Sequence, residues 1–359
     1  MINLNFKNYK EKYLFFIALF FLILIILIST LNKPQSNTQL KEIDNSINKA
    51  INFLYENQLN NGEFKTYACH DINMTNCYFD SSPFITTFVL YSIKDVKNEK
   101  VDIITNKAIN FLLNEQESGG IWRYWTSRTK KPIPPDLDDI STISHILKLN
   151  NISFEDNVKL ILNNRNKENY FFTWILDKKN QNLIPSYIKH DVDCVVNSNV
   201  LLYLGENDPF VCSYINNAIK LNKSCSIYYL ELPFFYMVSR AFQNNITCFK
   251  ESKNTVIINV LSKQKKDGSF GNSLDTSLAL NTLLNFGYYR NEIEYGINNL
   301  IYQQSSNGSW KRFVFFEGGS NKSVSFASPE SYYAGSNELT TAITIEAMQK
   351  YLNNYQIKT

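Results

Sequence analysis

Three carboxylates fall within four positions at Asp136, Asp138 and Asp139, in the stretch PPDLDDISTISHIL that runs from Pro134 into an apolar, helix-like segment. Ionised acids this close repel one another, so the cluster either performs chemistry that exploits the repulsion or simply starts a helix. An aspartate at a helix N-terminus accepts hydrogen bonds from free backbone N–H groups and complements the helix dipole. Other apolar segments open with acids too, at Asp80, Asp191, Asp193, Asp275 and Glu338, which favours a shared structural role. Capping explains one acid well and three less well. Both readings stand at this level.

Several other chemistries are excluded by what the chain lacks. There is no P-loop, no G-x-G-x-x-G, no G-x-S-x-G nucleophile elbow and no D-D-x-x-D/E motif for magnesium-bound diphosphate. The formal charge of +3 comes with no dense Lys/Arg run, so no nucleic-acid partner is expected. Aromatic residues make up 14% of the chain, enough either for an ordinary large core or for an aromatic-lined pocket.

The elements that must position the acids come from a repeat. Four segments align without gaps: AINFLYENQLNNGEF from Ala50, AINFLLNEQESGGIW from Ala108, VIINVLSKQKKDGSF from Val256 and GINNLIYQQSSNGSW from Gly296. Each runs from an apolar helical stripe to a Gln (Gln58, Gln116, Gln264, Gln304), then a Gly four residues on and an aromatic two beyond (Phe64, Trp122, Phe270, Trp310). A fifth, degraded copy lies at VKLILNNRNKENYFFTW. The Asn-Gly, Asp-Gly and Gly-Gly pairs supply the positive φ that ends a helix in a tight turn, and the Gln side chain is placed to bond the free backbone groups there. Second helices follow at FDSSPFITTFVLYSI, LDDISTISHILKL, DVDCVVNSNVLLYLG, LDTSLALNTLLNFG and NELTTAITIEAMQKYL, with Gly205 and Gly287 as stops. No comparable strand signal is present. A series of such α-hairpins can close into a double ring of outer and inner helices.

The Gln–Gly–aromatic repeat resembles that of the terpene cyclase and protein prenyltransferase superfamily over most of Ile43 to Leu352. The resemblance implies an all-α fold, an (α/α)6 toroid. Within that superfamily, PDLDD is similar to the D-x-D-D motif of class II cyclases such as the squalene–hopene cyclases. That likeness implies Asp138 as proton donor, with Asp136 and Asp139 beside it. Protonating an alkene needs a strong acid that still holds its proton when substrate arrives. Clustered carboxylates in an apolar pocket meet that requirement. The carbocation that follows is stabilised by aromatic faces, for which Trp122, Tyr124 and Trp125 are candidates. His145, two helical turns beyond Asp138, is placed to touch the cluster.

The prenyltransferase branch of the resemblance would need a zinc site of Asp, Cys and His. HDVDCVVN offers His190, Asp191, Asp193 and Cys194, but not at the D-x-C spacing, and no histidine lies downstream of His190. A cap at Asp193 and a core residue at Cys194 are the simpler reading. No metal or cofactor is expected. The Cys-Gly-Glu-Gln thioester of complement-type toroids is absent as well.

From Tyr13 to Leu31 the chain is uncharged and apolar, long enough to span a bilayer as a helix and without an A-x-A cleavage site. The expected layout is therefore residues 1–12 cytoplasmic, 13–31 a transmembrane anchor, 32–41 a linker and 42–355 the toroid. Lys7, Lys10 and Lys12 before the span, against Lys33 and Lys41 after it, place the toroid outside the cytoplasm. Cys69 with Cys77, and Cys212 with Cys225, bracket short loops that disulfides could close in an oxidising compartment; buried thiols are the alternative. The leading expectation is acid-initiated cyclisation or isomerisation of an isoprenoid lipid taken from the membrane, with a second chain as one way to complete the cavity. The alternative is a non-catalytic toroid that binds a lipid, glycan or peptide as a tethered accessory.

Overall fold

The computed structural model describes residues 37–318 and 332–356, with a few isolated positions among 13–21. Most of the apolar run 13–31, and all of residues 1–12, lie outside the described residues. No helix among the described residues is long and apolar enough to cross a membrane. The chain divides into two compact units, Met1–Glu42 and Ile43–Thr359, and the second carries the repeats.

Twelve helices among the described residues alternate between two layers. The outer layer holds α1 (Asn37–Asn57), α3 (Glu99–Asn114), α5 (Val158–Asn163), α7 (Pro209–Lys220), α9 (Lys253–Leu261) and α11 (Asn291–Gln303). The inner layer holds α2 (Pro83–Ile93), α4 (Leu137–Leu149), α6 (Cys194–Leu204), α8 (Glu231–Gln243), α10 (Ser273–Asn285) and α12 (Asn337–Gln356). Each inner helix packs on the next, and α12 returns to α2, so the ring closes as an α/α toroid. Outer helices bury one stripe, as α11 does with Ile293, Gly296, Ile297 and Leu300 at helical spacing. Inner helices are buried over most of their length, and all eleven residues of α2 are buried. Helix α1 starts at Asn37, inside the stretch expected to be linker.

In three of its four copies the repeat motif works as a clasp between neighbouring outer helices, whereas Gln116 Nε2 has no partner among the described residues. Gln58 Nε2 donates to Gly62 O at 2.9 Å and across to Ile104 O of α3 at 2.9 Å. Gln264 makes the same pair with Gly268 O and Glu292 O of α11. Gln304 reaches Gly308 O and Ser46 O of α1, joining the last outer helix to the first. The turn glycine is required twice over: Gly308 has φ +87°, and a Cβ there would sit 2.3 Å from Lys49 O. The aromatic plugs the turn from below, with the Trp310 and Trp122 indole N–H groups donating to Leu300 O and Leu112 O. Its backbone N–H donates to a threonine hydroxyl of the following inner helix in three copies, at Thr86, Thr276 and Thr341.

The α7–α8 hairpin, which the repeat does not announce, uses Asn222 at φ +50° in place of glycine. Disulfides take over there. Of the two closures the spacing allowed, Cys69–Cys77 forms and Cys212–Cys225 does not, because Cys212 pairs with Cys248 and Cys194 with Cys225. The Cys194–Cys225 link anchors the segment before α8 onto the first residue of α6. Its 31-residue separation implies about 3–4 kcal/mol of stabilisation by loop closure. The double variant Cys194→Ala/Cys225→Ala is therefore expected to lose about that much unfolding free energy, read as a lower midpoint in guanidinium.

A four-stranded antiparallel sheet, absent from the sequence reading, lies in order β2-β1-β4-β3. It comprises β1 (Tyr67–Cys69), β2 (Cys77–Phe79), β3 (Phe316–Gly318) and β4 (Tyr332–Gly335). Strands of three or four residues are too short to show alternation, which is why no pattern marked them.

Candidate functional site

The N-terminal ends of α2, α4 and α6 converge with the loops at 124–133, 173–174 and 228–229 and with β3 and β4 around a hollow. It contains about 740 Å³ of open space, its mouth included, and is lined by Asp136, Asp138 and Asp139 amid aromatic rings. Phe84, Tyr124, Trp125, Trp174, Tyr229 and Phe316 are among those rings.

The three acids do different things. Asp136 is the N-cap of α4: its Oδ1 accepts from Asp139 N at 2.8 Å. The capping reading is therefore right for this acid, and Asp136 has one oxygen committed to the main chain. A short bridge between Asp136 and Trp174 fixes the loop wall beside it. Asp138 points elsewhere. Its Oδ1 accepts from Asn199 Nδ2 of α6 at 2.6 Å, and its Oδ2 accepts from Tyr229 OH at 2.5 Å. Among the described residues no main-chain amide binds it. Asp139 is buried with Oδ1 unpartnered.

Burial pushes all three carboxyls up from the ordinary 3.8. For Asp139 the effect is large, because Asp136 and Asp138 add their repulsion to the desolvation. At Asp138 the two donors and the positive charge of Arg240 oppose the rise. Arg240 is itself buried at 2% exposure, donates from Nη2 to Asn199 Oδ1 at 2.7 Å and lies over the Phe88 and Tyr91 rings. That bond orients the Asn199 amide, so that its N–H faces Asp138. Burial therefore favours the protonated form of Asp138, and the conjugate base that proton transfer leaves has two donors waiting.

The aromatic expectations divide. Tyr124 and Trp125 line the hollow. Trp122 does not: it is the fully buried plug of the turn after α3, with its indole N–H committed to Leu112 O. His145 does not reach the hollow either. It packs against Tyr91 at 6.1 Å between ring centroids, and burial beside Arg240 and Lys148 lowers its pKa to about 3. Asp193 caps α6 through Val195 N and Val196 N, and Cys194 is in a disulfide, so neither serves as a thiolate–carboxylate metal pair. Asp80 is not a cap, since its carboxylate accepts from Trp125 Nε1, Tyr332 OH and Lys131 Nζ.

Sequence reasoning missed Asn199, Tyr229, Arg240, Trp174, Phe316 and Tyr332. The one available signal was a polar or charged residue inside an otherwise apolar helix, which Asn199 and Arg240 both are.

A family model described as the A-macroglobulin TED domain matches residues 29–127, less than a third of the chain. No curated protein matches it in sequence. Solved structures match it in shape. The type II terpene cyclase MstE from Scytonema, in its apo form, superposes with a TM-score of 0.67 at 14% identity, covering 88% of this chain and 99% of that one. A variant of the same enzyme in complex with geranylgeranyl dihydroxybenzoate, its substrate, gives 0.65 at 14%, covering 89% and 99%. A single ring thus spans the whole length of those cyclase chains. This chain has the fold of the type II terpene cyclases.

Proposed function

We propose that the toroid protonates an alkene of an isoprenoid substrate through Asp138, initiating cyclisation or isomerisation without a metal. The observation that carries this reading is the placement of Asp138, buried in an aromatic hollow with both oxygens on the side chains of Asn199 and Tyr229. A helix-starting acid of purely structural use would hold main-chain N–H groups, as Asp136 does. Proton transfer from Asp138 breaks its O–H bond and leaves a carboxylate that Asn199 and Tyr229 stabilise. The positive carbon then lies among ring faces that attract it and exclude water. The type II fold supports the reading, and the relatives of that fold named above act on a geranylgeranyl compound.

The reading extends to location. All six cysteines are paired, which suits an oxidising compartment, and the lysine balance about residues 13–31 suits an external ring held by a membrane anchor. An isoprenoid in the same membrane would then be the accessible substrate.

The test is turnover in D2O with geranylgeranyl dihydroxybenzoate and simpler polyprenyl compounds. One deuterium is expected at the carbon that receives the initiating proton. Product without deuterium, or no conversion of any isoprenoid offered, would overturn the proposal.

A further inference from the structure

The hollow has a second polar end that the initiating acid does not use. Tyr124 and Tyr332 both line it, and their hydroxyls are 2.6 Å apart. Tyr332 donates its single proton to Asp80 Oδ2 at 2.6 Å, so its oxygen must accept from Tyr124. The chain therefore has one direction: Tyr124 to Tyr332 to Asp80. Asp80 is 1% exposed, and its charge is held by Lys131 Nζ at 2.7 Å and by the Trp125 indole N–H at 2.8 Å. With its proton committed to Tyr332, the Tyr124 oxygen is left as an acceptor on the wall of the hollow. Phe316 separates the two ends, its ring 6.3 Å from that of Tyr229 and 5.6 Å from that of Tyr124. Burial raises both phenol pKa values well above 10, so these groups pass protons on and do not carry the charge themselves.

We infer that Tyr124 is the catalytic base that ends the reaction, backed by Tyr332 and by Asp80 as a positioning residue; this rests on the cyclase reading. The step is a deprotonation. A C–H bond next to the cationic carbon breaks, and its electron pair becomes the new C=C bond. The proton goes to Tyr124 Oη, while the Tyr124 proton passes to Tyr332 and the Tyr332 proton to the Asp80 carboxylate. A carbocation is so acidic at that position that a phenol oxygen polarised by a carboxylate is base enough. Asp138 has then given one proton and Asp80 has gained one. Exchange with water restores both, on the Asp80 side past Lys131, whose side chain is 34% exposed. The net reaction is an isomerisation, and where the base sits decides which double bond forms.

The experiment compares products from geranylgeranyl dihydroxybenzoate made by the wild type, Tyr124→Phe and Asp80→Asn. Both variants are expected to shift the ratio of double-bond isomers, or of alcohols formed by water capture, by about tenfold or more, equivalent to about 1.4 kcal/mol between competing exits. Asp80 does not line the hollow, so the same shift from Asp80→Asn comes through hydrogen bonds and not through wall shape. Should Asp80→Asn fail to fold, Tyr332→Phe breaks the same chain one link earlier. An unchanged product ratio in variants that still consume the probe overturns the relay and leaves the cyclase reading intact. A wild type that leaves the probe untouched counts against the cyclase reading and takes the relay with it.

Discussion

Asp138→Asn is expected to lower turnover by about 10²- to 10⁴-fold, the usual contribution of a general acid, while the ring stays folded. The substitution is nearly isosteric and leaves the local bonds satisfiable. The amide oxygen accepts from Asn199 as the carboxylate did, and the amide N–H₂ donates to Tyr229, whose hydroxyl can accept as well as donate. A carboxyl whose pKa is raised by burial bears a desolvation cost when ionised, so replacing it with a neutral amide adds no such cost. What disappears is the proton. A purely structural acid in the first turn of α4 behaves in the opposite way: loss of a dipole contact costs about 0.3–1 kcal/mol of stability and no activity. Single-turnover consumption of isoprenoid and circular dichroism through thermal unfolding separate the two. Retained consumption with reduced stability would return Asp138 to the structural role that Asp136 has.

The contrast between these neighbouring acids shows what the primary sequence carries. Spacing and residue type brought Asp136, Asp138 and Asp139 into one hollow, and the Gln–Gly–aromatic repeat announced the ring, because a turn that stacks on the next helix needs those residue types at those offsets. The α7–α8 hairpin had no such offsets, since Asn222 and two disulfides do the work of the motif. The partners of Asp138 lie 61 and 91 residues away, joined only by ring closure, and local periodicity does not reach that far. Trp122 was misassigned for a related reason. An aromatic at the motif position reads equally well as a wall or a plug, and the indole N–H bond to the preceding outer helix, made alike by Trp122 and Trp310, decides for the plug.

Arg240→Met is expected to reduce the maximal rate and at the same time to extend activity to higher pH. The reaction needs Asp138 protonated, so the rate is full below the folded pKa of that group and falls as pH rises through it. Burial raises this pKa, and the Arg240 charge, with the Asn199 amide it orients, restrains the rise. Without the guanidinium the carboxylate is less stabilised, and the proton is held more firmly. The alkaline limb then moves up. The same firmer hold makes Asp138 a weaker acid towards an alkene. Losing a charge-assisted bond of about 1.5–3 kcal/mol corresponds to roughly a 10- to 150-fold slower proton transfer. Folding is not the obstacle, since a buried cation replaced by an apolar side chain of similar volume is often tolerated. Among the described residues Arg240 has an unpartnered Nε and donates to the neutral Asn199 amide, with no ion pair, so methionine strands no directly paired charge. The measurement is the pH profile of kcat for wild type and variant. A uniform rate loss with an unmoved alkaline limb would mean that Arg240 only packs the ring, whereas opposite movements of rate and limb have no source but the acidity of Asp138.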